Sequence, residues 1–189
     1  MDIDLLLWFQ KIREALGPIA EQLADGISML STIAVFILFL VYWCMDRKTG
    51  RFGLLCFSLG QFMNQTCKAI FCIPRPWIRN EAIHPSEHAI ESASGYSFPS
   101  GHSQTAMSSY GALSVKGTTS RCIRVILLVC ILLVGLSRNY LGVHTPQDVL
   151  FGFGMGILSI VIVAYIQKHK EKLYGFRTVI VGICIVVVA

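Results

Sequence analysis

The chain has 189 residues, 54% of them hydrophobic and only 14% charged, with a mean hydropathy of +0.62 and a net charge of +5. A soluble domain of this length carries more charge, so the composition excludes that class and points to an integral membrane protein. The positive charge sits in short connections between apolar segments, with no repeat, low-complexity tract or nucleic-acid signature beside it.

The first 24 residues carry acids where a secretory leader carries a basic cluster, and they lack a small-residue cleavage site. Leu5, Leu6, Trp8, Phe9, Ile12 and Leu16 recur at helical spacing opposite Asp4, Lys11 and Glu14. That pattern predicts an amphipathic helix lying in the membrane interface and ending near Gly17-Pro18. A solvated helix covering the end of a bundle accounts for it equally well.

A membrane-spanning helix needs roughly 20 apolar residues. Residues 27–45 form the clearest span, and 52–73 a second whose lower half is polar through Asn64, Gln65 and Lys68. Residues 101–115 are short and rich in Ser and Ala, which suits a helix packed inside a bundle by close backbone approach. Residues 122–136 and 149–167 are two more spans, and 178–189 begin a sixth that is either short or cut off. The expected fold is all-α: a polytopic membrane helix bundle of about six transmembrane helices with an N-terminal amphipathic helix. It forms a single domain, 1–189, with residues 1–24 interfacial and a catalytic core over 52–167.

Charge sorts the connections into two sides. Arg47, Lys48 and Arg51 outnumber Asp46 after the first span; Lys116, Arg121 and Arg124 join the third to the fourth; Lys168, Lys170, Lys172 and Arg177 outnumber Glu171 after the fifth. Lys and Arg accumulate in cytoplasmic loops, so these three connections should face the cytoplasm and the acidic N-terminus should face outward. Three polar stretches then meet on the outer face: KAIFCIPRP from Lys68, FPSGH from Phe98, and SRNYLGVHTPQD from Ser137. Ser100 is placed to cap a helix opening at Gly101. Thr145, Pro146 and Asp148 occupy the cap, first and third positions of another. Two helix N-termini beside Lys68, Arg75 and Arg138 would make an anion site.

The order Lys68, six residues, Arg75-Pro76; Pro99-Ser100-Gly101-His102; Ser137-Arg138, five residues, His144, three residues, Asp148 resembles the tripartite signature of the type 2 phosphatidic acid phosphatase superfamily. The resemblance covers about residues 52–167. It implies metal-independent hydrolysis of a lipid phosphate monoester or pyrophosphate through a phosphohistidine, with no cofactor. Substrates of the undecaprenyl pyrophosphate, phosphatidylglycerophosphate or phosphatidic acid class fit. His144 would attack phosphorus, Asp148 would orient its ring, and His102 would protonate the leaving oxygen. Lys68, Arg75, Ser100, Gly101 and Arg138 would hold the phosphate oxygens. The expected setting is a bacterial cytoplasmic membrane with the site on the extracytoplasmic face. The partners are the lipid substrate and membrane lipids, with no nucleic acid.

Plainer readings exist for single residues. Asp148 could be only a capping-box acid, Lys68 and Arg138 could be snorkelling anchors, and His102 a helix cap. A phosphotransferase with a hydroxyl acceptor, or a module that binds or transports a lipid phosphate without cleaving it, would share the cations. Intact His144, His102 and Asp148 count against the second of these. Between Trp77 and Ser97, His84 and His88 could bind Zn²⁺ on one helix, but Pro85 argues against that helix. This stretch reads as a solvated loop with local turns that gates the site and contacts the headgroup, with Trp77 and Tyr96 at headgroup level. Seven cysteines, at 44, 56, 67, 72, 122, 130 and 184, read as free buried thiols.

Overall fold

The computed structural model describes residues 2–117 and 120–169. Every regular element among them is helical. The first, α1 (Asp2–Ser28), breaks where the sequence places a stop, at Gly17 (φ 77°) before Pro18, and then resumes. Proline at the start of the new helical segment removes only an N–H that has no intrahelical acceptor, so the break redirects the chain without ending the helix. Leu6, Arg13 and Ala24 are buried along α1, whereas Trp8, Leu16, Ile19 and Leu23 are more than half exposed. This element packs against the helix Arg121–Tyr140, and so extends beyond the short helix expected from the periodicity.

The first apolar segment forms α2 (Leu30–Leu40) and a π-helical turn, Val41–Met45. Asp46 ends the run and caps the next helix, accepting from Lys48 N at 3.0 Å, Thr49 N at 3.2 Å and Thr49 Oγ1 at 2.6 Å. As a result α3 (Arg47–Phe71) starts inside the basic connection, five residues before the expected boundary. It closes at Cys72, whose left-handed φ of 48° turns the chain away. Two short helices follow, α4 (Pro76–Arg79) and α5 (Glu87–Glu91), in the stretch expected to be a solvated loop. That expectation is corrected: Ile83, Ser86, Ala89, Ala93 and Ser97 are all buried. Ala89 and Ala93 pack with Ala24, Leu141 and Val143 under Trp77 and Tyr140, so the segment is a folded cap.

The centre of the bundle is α6 (Gly101–Lys116), matching the expected Ser/Ala-rich helix to within one residue. It touches α2, α3, α7 (Arg121–Tyr140) and α8 (Pro146–His169). Its buried face is Ser103, Gln104, Ala106, Ser108, Ser109, Tyr110, Gly111, Ala112 and Leu113. Small residues permit that centrality. A Cβ at Gly152 of α8 would lie 2.6 Å from Ser100 O, and one at Gly156 would lie 2.6 Å from Met107 Cβ. The outside is apolar instead: Ile126, Leu128, Leu132 and Leu136 of α7 and Leu150, Ile157 and Val161 of α8 are exposed. Small and polar inside with aliphatic outside is the pattern lipid imposes, since lipid tails solvate leucine as well as another helix does.

Three helical runs among the described residues, Ile3–Met45, Arg121–Tyr140 and Pro146–His169, are long and apolar enough to cross a membrane. The expected sixth span at 178–189 lies outside the described residues, as does Cys184. The described cysteines are free, but Cys44, Cys72 and Cys122 are exposed, which corrects the expectation of buried thiols.

Candidate active site

The third polar stretch leaves α7 at Tyr140, turns at Gly142 (φ 75°) and enters α8 at Pro146. Asn139 Nδ2 donates to His144 O at 2.9 Å, fixing the backbone of this turn. Thr145 and Asp148 then cap α8 reciprocally: Thr145 N donates to Asp148 Oδ2 at 2.9 Å, and Asp148 N donates to Thr145 Oγ1 at 3.3 Å. The capping role leaves this carboxylate beside the histidine as well, since the same Oδ2 lies 3.5 Å from His144 Nδ1. Ser97 Oγ donates a 2.6 Å hydrogen bond to Oδ2 as well, tying the cap segment to this carboxylate.

The other ring nitrogen of His144 meets Arg75. Arg75 Nη1 lies 3.0 Å from His144 Nε2, and a guanidinium can only donate. Nε2 must therefore carry the lone pair, which leaves the proton on Nδ1, the atom facing Asp148. Burial lowers the pKa of His144 below its usual 6.5, opposed by the neighbouring Asp148 carboxylate and aided by the charges of Arg75 and Arg138. The ring is neutral at physiological pH.

Arg75 is 3% exposed and uses its whole fork. Nε donates to Gly95 O at 3.0 Å, Nη2 to Ser94 O at 2.7 Å, and Nη1 also to Val143 O at 3.1 Å. Burial lowers its pKa to about 10, partly offset by Asp148, so it remains charged. Trp77 covers it, with the ring centroid 5.7 Å from the guanidinium carbon.

A cavity of about 410 Å³ opens at these groups. Lys68 from the last turn of α3, Arg75, Gly101 and His102 from the first turn of α6, and His144 all line it. Five of the eight expected residues thus share one wall, and Asp148 stands behind His144. The other two lie out of the cavity. Ser100 is fully buried as the α6 cap, its Oγ accepting from Ser103 N at 3.4 Å and lying 2.9 Å from Ser103 Oγ. Arg138 is also fully buried, donating from Nη1 to Ser28 Oγ at 2.7 Å and from Nη1 and Nη2 to Ser92 Oγ at 3.3 Å.

Several contributors carry no motif. Asn64 lines the cavity one turn before Lys68 and donates to Pro99 O at 3.4 Å. Ser28 and Ser92 hold Arg138, and Ser97 holds Asp148. Arg13 reaches from α1 to Tyr140 O at 3.0 Å and to His84 O, clamping the turn between α7 and α8 to the cap. His84 and His88 sit on different elements, and among the described residues no group of three or more His, Cys, Asp or Glu is placed to hold a metal ion.

The PAP2 superfamily profile matches residues 49–172, the segment that supplies every cavity-lining charge described above. The chain belongs to the PAP2 superfamily. This PAP2 protein is 35% identical over 141 residues to phosphatidylglycerophosphatase B of Bacillus subtilis, covering 69% of this chain and 64% of that protein. It is 28% identical over 110 residues to the undecaprenyl-diphosphatase of Sulfolobus acidocaldarius, covering 58% and 51% respectively. The chain thus matches somewhat under two thirds and about half the length of these curated relatives. Among solved structures, the PAP2 fold here superposes on Aquifex aeolicus LpxE with a TM-score of 0.71 at 23% identity, over 87% of this chain and 94% of that one. It superposes on a transmembrane PAP2 type phosphatidylglycerolphosphate phosphatase from Bacillus subtilis with a TM-score of 0.69 at 26% identity, over 92% and 87%.

Proposed function

We propose that this chain is a membrane phosphatase that hydrolyses a lipid phosphate monoester or pyrophosphate through a phosphohistidine on His144. The observation that carries the proposal is the contact of Arg75 Nη1 with His144 Nε2, which leaves the lone pair on Nε2 of a ring that lines the cavity beside Arg75 and Lys68. Nε2 attacks phosphorus as the bond to the leaving oxygen breaks, and His102 gives that oxygen its proton. Asp148 stabilises the Nδ1–H of the phosphorylated ring. Water then attacks phosphorus, returning a proton to His102 and releasing phosphate and free Nε2. Arg75 must yield Nε2 as substrate enters, which turns Nη1 toward the phosphate oxygens. Lys68 and the first N–H groups of α6 complete the anion site.

The far end of the same cavity supports a lipid substrate. Val35, Phe36 and Phe57 line it between α2 and α3, so an apolar chain can leave sideways while the phosphate meets the charges. The relatives named as a phosphatidylglycerophosphatase and an undecaprenyl-diphosphatase favour substrates of those classes. The cap of residues 77–97, held by Arg75 through Ser94 and Gly95, serves as the gate.

In this reading the bundle has six spans and α1 lies at the interface. The catalytic cavity faces the extracytoplasmic side of the cytoplasmic membrane, with the basic helix ends inside. In a chain retaining only Cys72, an impermeant maleimide should label intact cells; labelling only after permeabilisation would reverse this orientation. The activity is tested by phosphate release from a panel of lipid phosphates and pyrophosphates. The expected result is turnover by the wild type and none by His144→Ala at equal folding. Turnover retained by His144→Ala would discard the mechanism, and transfer to an added alcohol in preference to water would make the chain a phosphotransferase.

A further inference from the structure

Between the charged end of the catalytic cavity and its apolar exit lies a band of uncharged polar side chains that the phosphate chemistry does not use. We propose that this band is a subsite for the leaving group, in which Asn64 and Gln61 accept hydrogen bonds from a hydroxyl next to the phosphorylated carbon of the substrate. The proposal rests on the phosphatase reading above and narrows it. The substrate is then a phosphate monoester whose alcohol carries a free hydroxyl, rather than a pyrophosphate.

The order of side chains along α3 lays out the subsite. Phe57, Gln61, Asn64 and Lys68 follow at steps of three or four residues and all line the cavity, so they share one helix face. At 1.5 Å per residue the two amides stand about 6 and 10 Å along α3 from Lys68, and Phe57 about 16 Å. The neighbouring α2 repeats the order, with Ser31 and Thr32 at the cavity before Val35 and Phe36. On α6, Thr105 lines the cavity one turn after His102, the group that protonates the leaving oxygen in the proposed mechanism. The cavity therefore runs from cations through amides and hydroxyls to apolar side chains.

Asn64 carries the inference. It is 1% exposed, and its Nδ2 donates to Pro99 O at 3.4 Å. A carbonyl can only accept, so the amide nitrogen belongs on that side and the oxygen on the other. Oδ1 lies 3.7 Å from where a Cβ on Gly101 would stand, next to His102, and has no hydrogen-bond partner among the described residues. Gln61 Oε1 is buried without a partner in the same way. Packing of α3 against the α6 cap explains Nδ2, but it explains neither oxygen. Both are acceptors, whereas the groups that hold phosphate are donors. A second phosphate could not satisfy them, because its oxygens are acceptors too. Among the described residues, Lys68 and Arg75 are the only cationic lysine or arginine side chains lining the cavity, and both belong to its phosphate end. A hydroxyl supplies the missing donor, and a site built to receive one discriminates against the analogue that lacks it.

The test is phosphate release by the full chain in detergent from oleoyl lysophosphatidic acid and from its analogue lacking only the free glycerol hydroxyl, with farnesyl pyrophosphate as a third probe. The wild type should favour the hydroxylated ester over its analogue by at least about tenfold in kcat/KM, and farnesyl pyrophosphate should be a poorer substrate than that ester. Gln61→Met and Asn64→Leu should each bring the ratio between the two esters to within about threefold of one. Both esters are measured on one preparation, so the folded fraction of a variant cancels from its ratio. A wild-type ratio near one, or a preference for the pyrophosphate, overturns the subsite and leaves the phosphatase reading standing. If both variants slow the two esters equally and keep the ratio, the amides serve the attacking water instead, which also overturns it. No release from any probe would discard the phosphatase reading and this one together.

Discussion

Arg75 Nη1 and His144 Nε2 share a 3.0 Å contact in which only the arginine can be the donor, so the imidazole keeps its lone pair on Nε2, toward Arg75, and both side chains line the cavity. The same guanidinium holds Ser94 O, Gly95 O and Val143 O, so one residue sets the tautomer of His144 and fastens the cap above it. Arg75→Ala should therefore lose both phosphate contacts and cap order, lowering kcat/KM by at least ~100–1,000-fold, the usual cost of a lost oxyanion donor. Arg75→Lys keeps the charge but cannot reproduce the fork, and should recover less than a tenth of the loss. Steady-state kinetics with limited proteolysis of residues 77–97 checks both effects. A lysine variant with near wild-type kcat/KM would reduce Arg75 to a point charge.

Asp148 Oδ2 faces Thr145 N, Ser97 Oγ and His144 Nδ1 at once. Asp148→Asn leaves an isosteric side chain whose amide oxygen can still accept from Thr145 N, while residue 148 N still donates to Thr145 Oγ1, but its amide no longer enforces Nδ1–H on the histidine. By analogy with other histidine–aspartate pairs, kcat should fall by about 10⁴-fold with little change in melting temperature. Ser97→Ala removes one of the hydrogen bonds that place the carboxylate and should cost about tenfold at most. Single-turnover phosphate release on each variant separates the two. Equal effects would mean that the serine, rather than the aspartate, positions the ring.

The pH profile follows from the environment of His144. Its active form is neutral, and burial lowers the pKa from 6.5, so protonation begins only at a pH below that value. The acid limb of kcat/KM, which reports the free enzyme, should accordingly lie below pH 6.5. Stability takes the same sign. Below pH 6.5 the unfolded chain binds a proton that the folded site resists, so this group's contribution to stability falls as pH drops and is constant above about 7. An acid limb at or above pH 6.5, measured with a short-chain soluble substrate, would contradict a buried neutral nucleophile.

Most motif residues are legible because they are charged or ring side chains at fixed spacing within a short segment, and Lys68, Arg75, His102 and His144 share the cavity with Gly101. The serines are not. Ser28, Ser92 and Ser97 lie on elements far apart in sequence, and a serine in an apolar or loop segment looks the same whether or not it receives an arginine or faces a carboxylate. The cap was misjudged for a related reason. Ile83, Ala89 and Ala93 are too sparse to show a period, and Ala89 and Ala93 are buried in one cluster with Ala24 of α1 and with Leu141 and Val143 of the turn before α8. The early start of α3 has a signal in the sequence, since Asp46 with Thr49 is a helix cap as well as a charged boundary.

The close approach of α6 and α8 sets the geometry of the site from behind. A methyl group at residue 152 would meet the Ser100 carbonyl oxygen at 2.6 Å, and that neighbour is backbone that cannot rotate away. The Ser100 N–H also donates to Asp148 O at 3.0 Å, so any displacement there moves the α6 cap relative to the α8 cap. Gly152→Ala should destabilise the fold by about 1–3 kcal/mol, the range for overpacking, and reduce kcat more than KM. Thermal unfolding in detergent and kinetics on the same preparation test this. Wild-type stability would show that the helices can part here without cost.

Arg138 presents the sharpest contrast between motif and geometry, because the residue expected to grip phosphate is fully buried on Ser28 and Ser92. Ser28 belongs to α1, outside the segment matched by the PAP2 profile, and Ser92 to the cap. If Arg138 reaches substrate only after exchanging these hydroxyls for phosphate oxygens, removing one hydroxyl should make the exchange easier. Ser28→Ala would then lower KM, or leave it unchanged, with kcat within about threefold, while Arg138→Ala loses 100-fold or more, on the scale of a lost transition-state donor. If Arg138 acts only as a strut between α1 and the cap, Ser28→Ala and Arg138→Gln should both lower the melting temperature and leave kcat of the folded fraction intact. Measuring kcat, KM and melting temperature for all three variants decides between a phosphate ligand held in reserve and a purely architectural arginine.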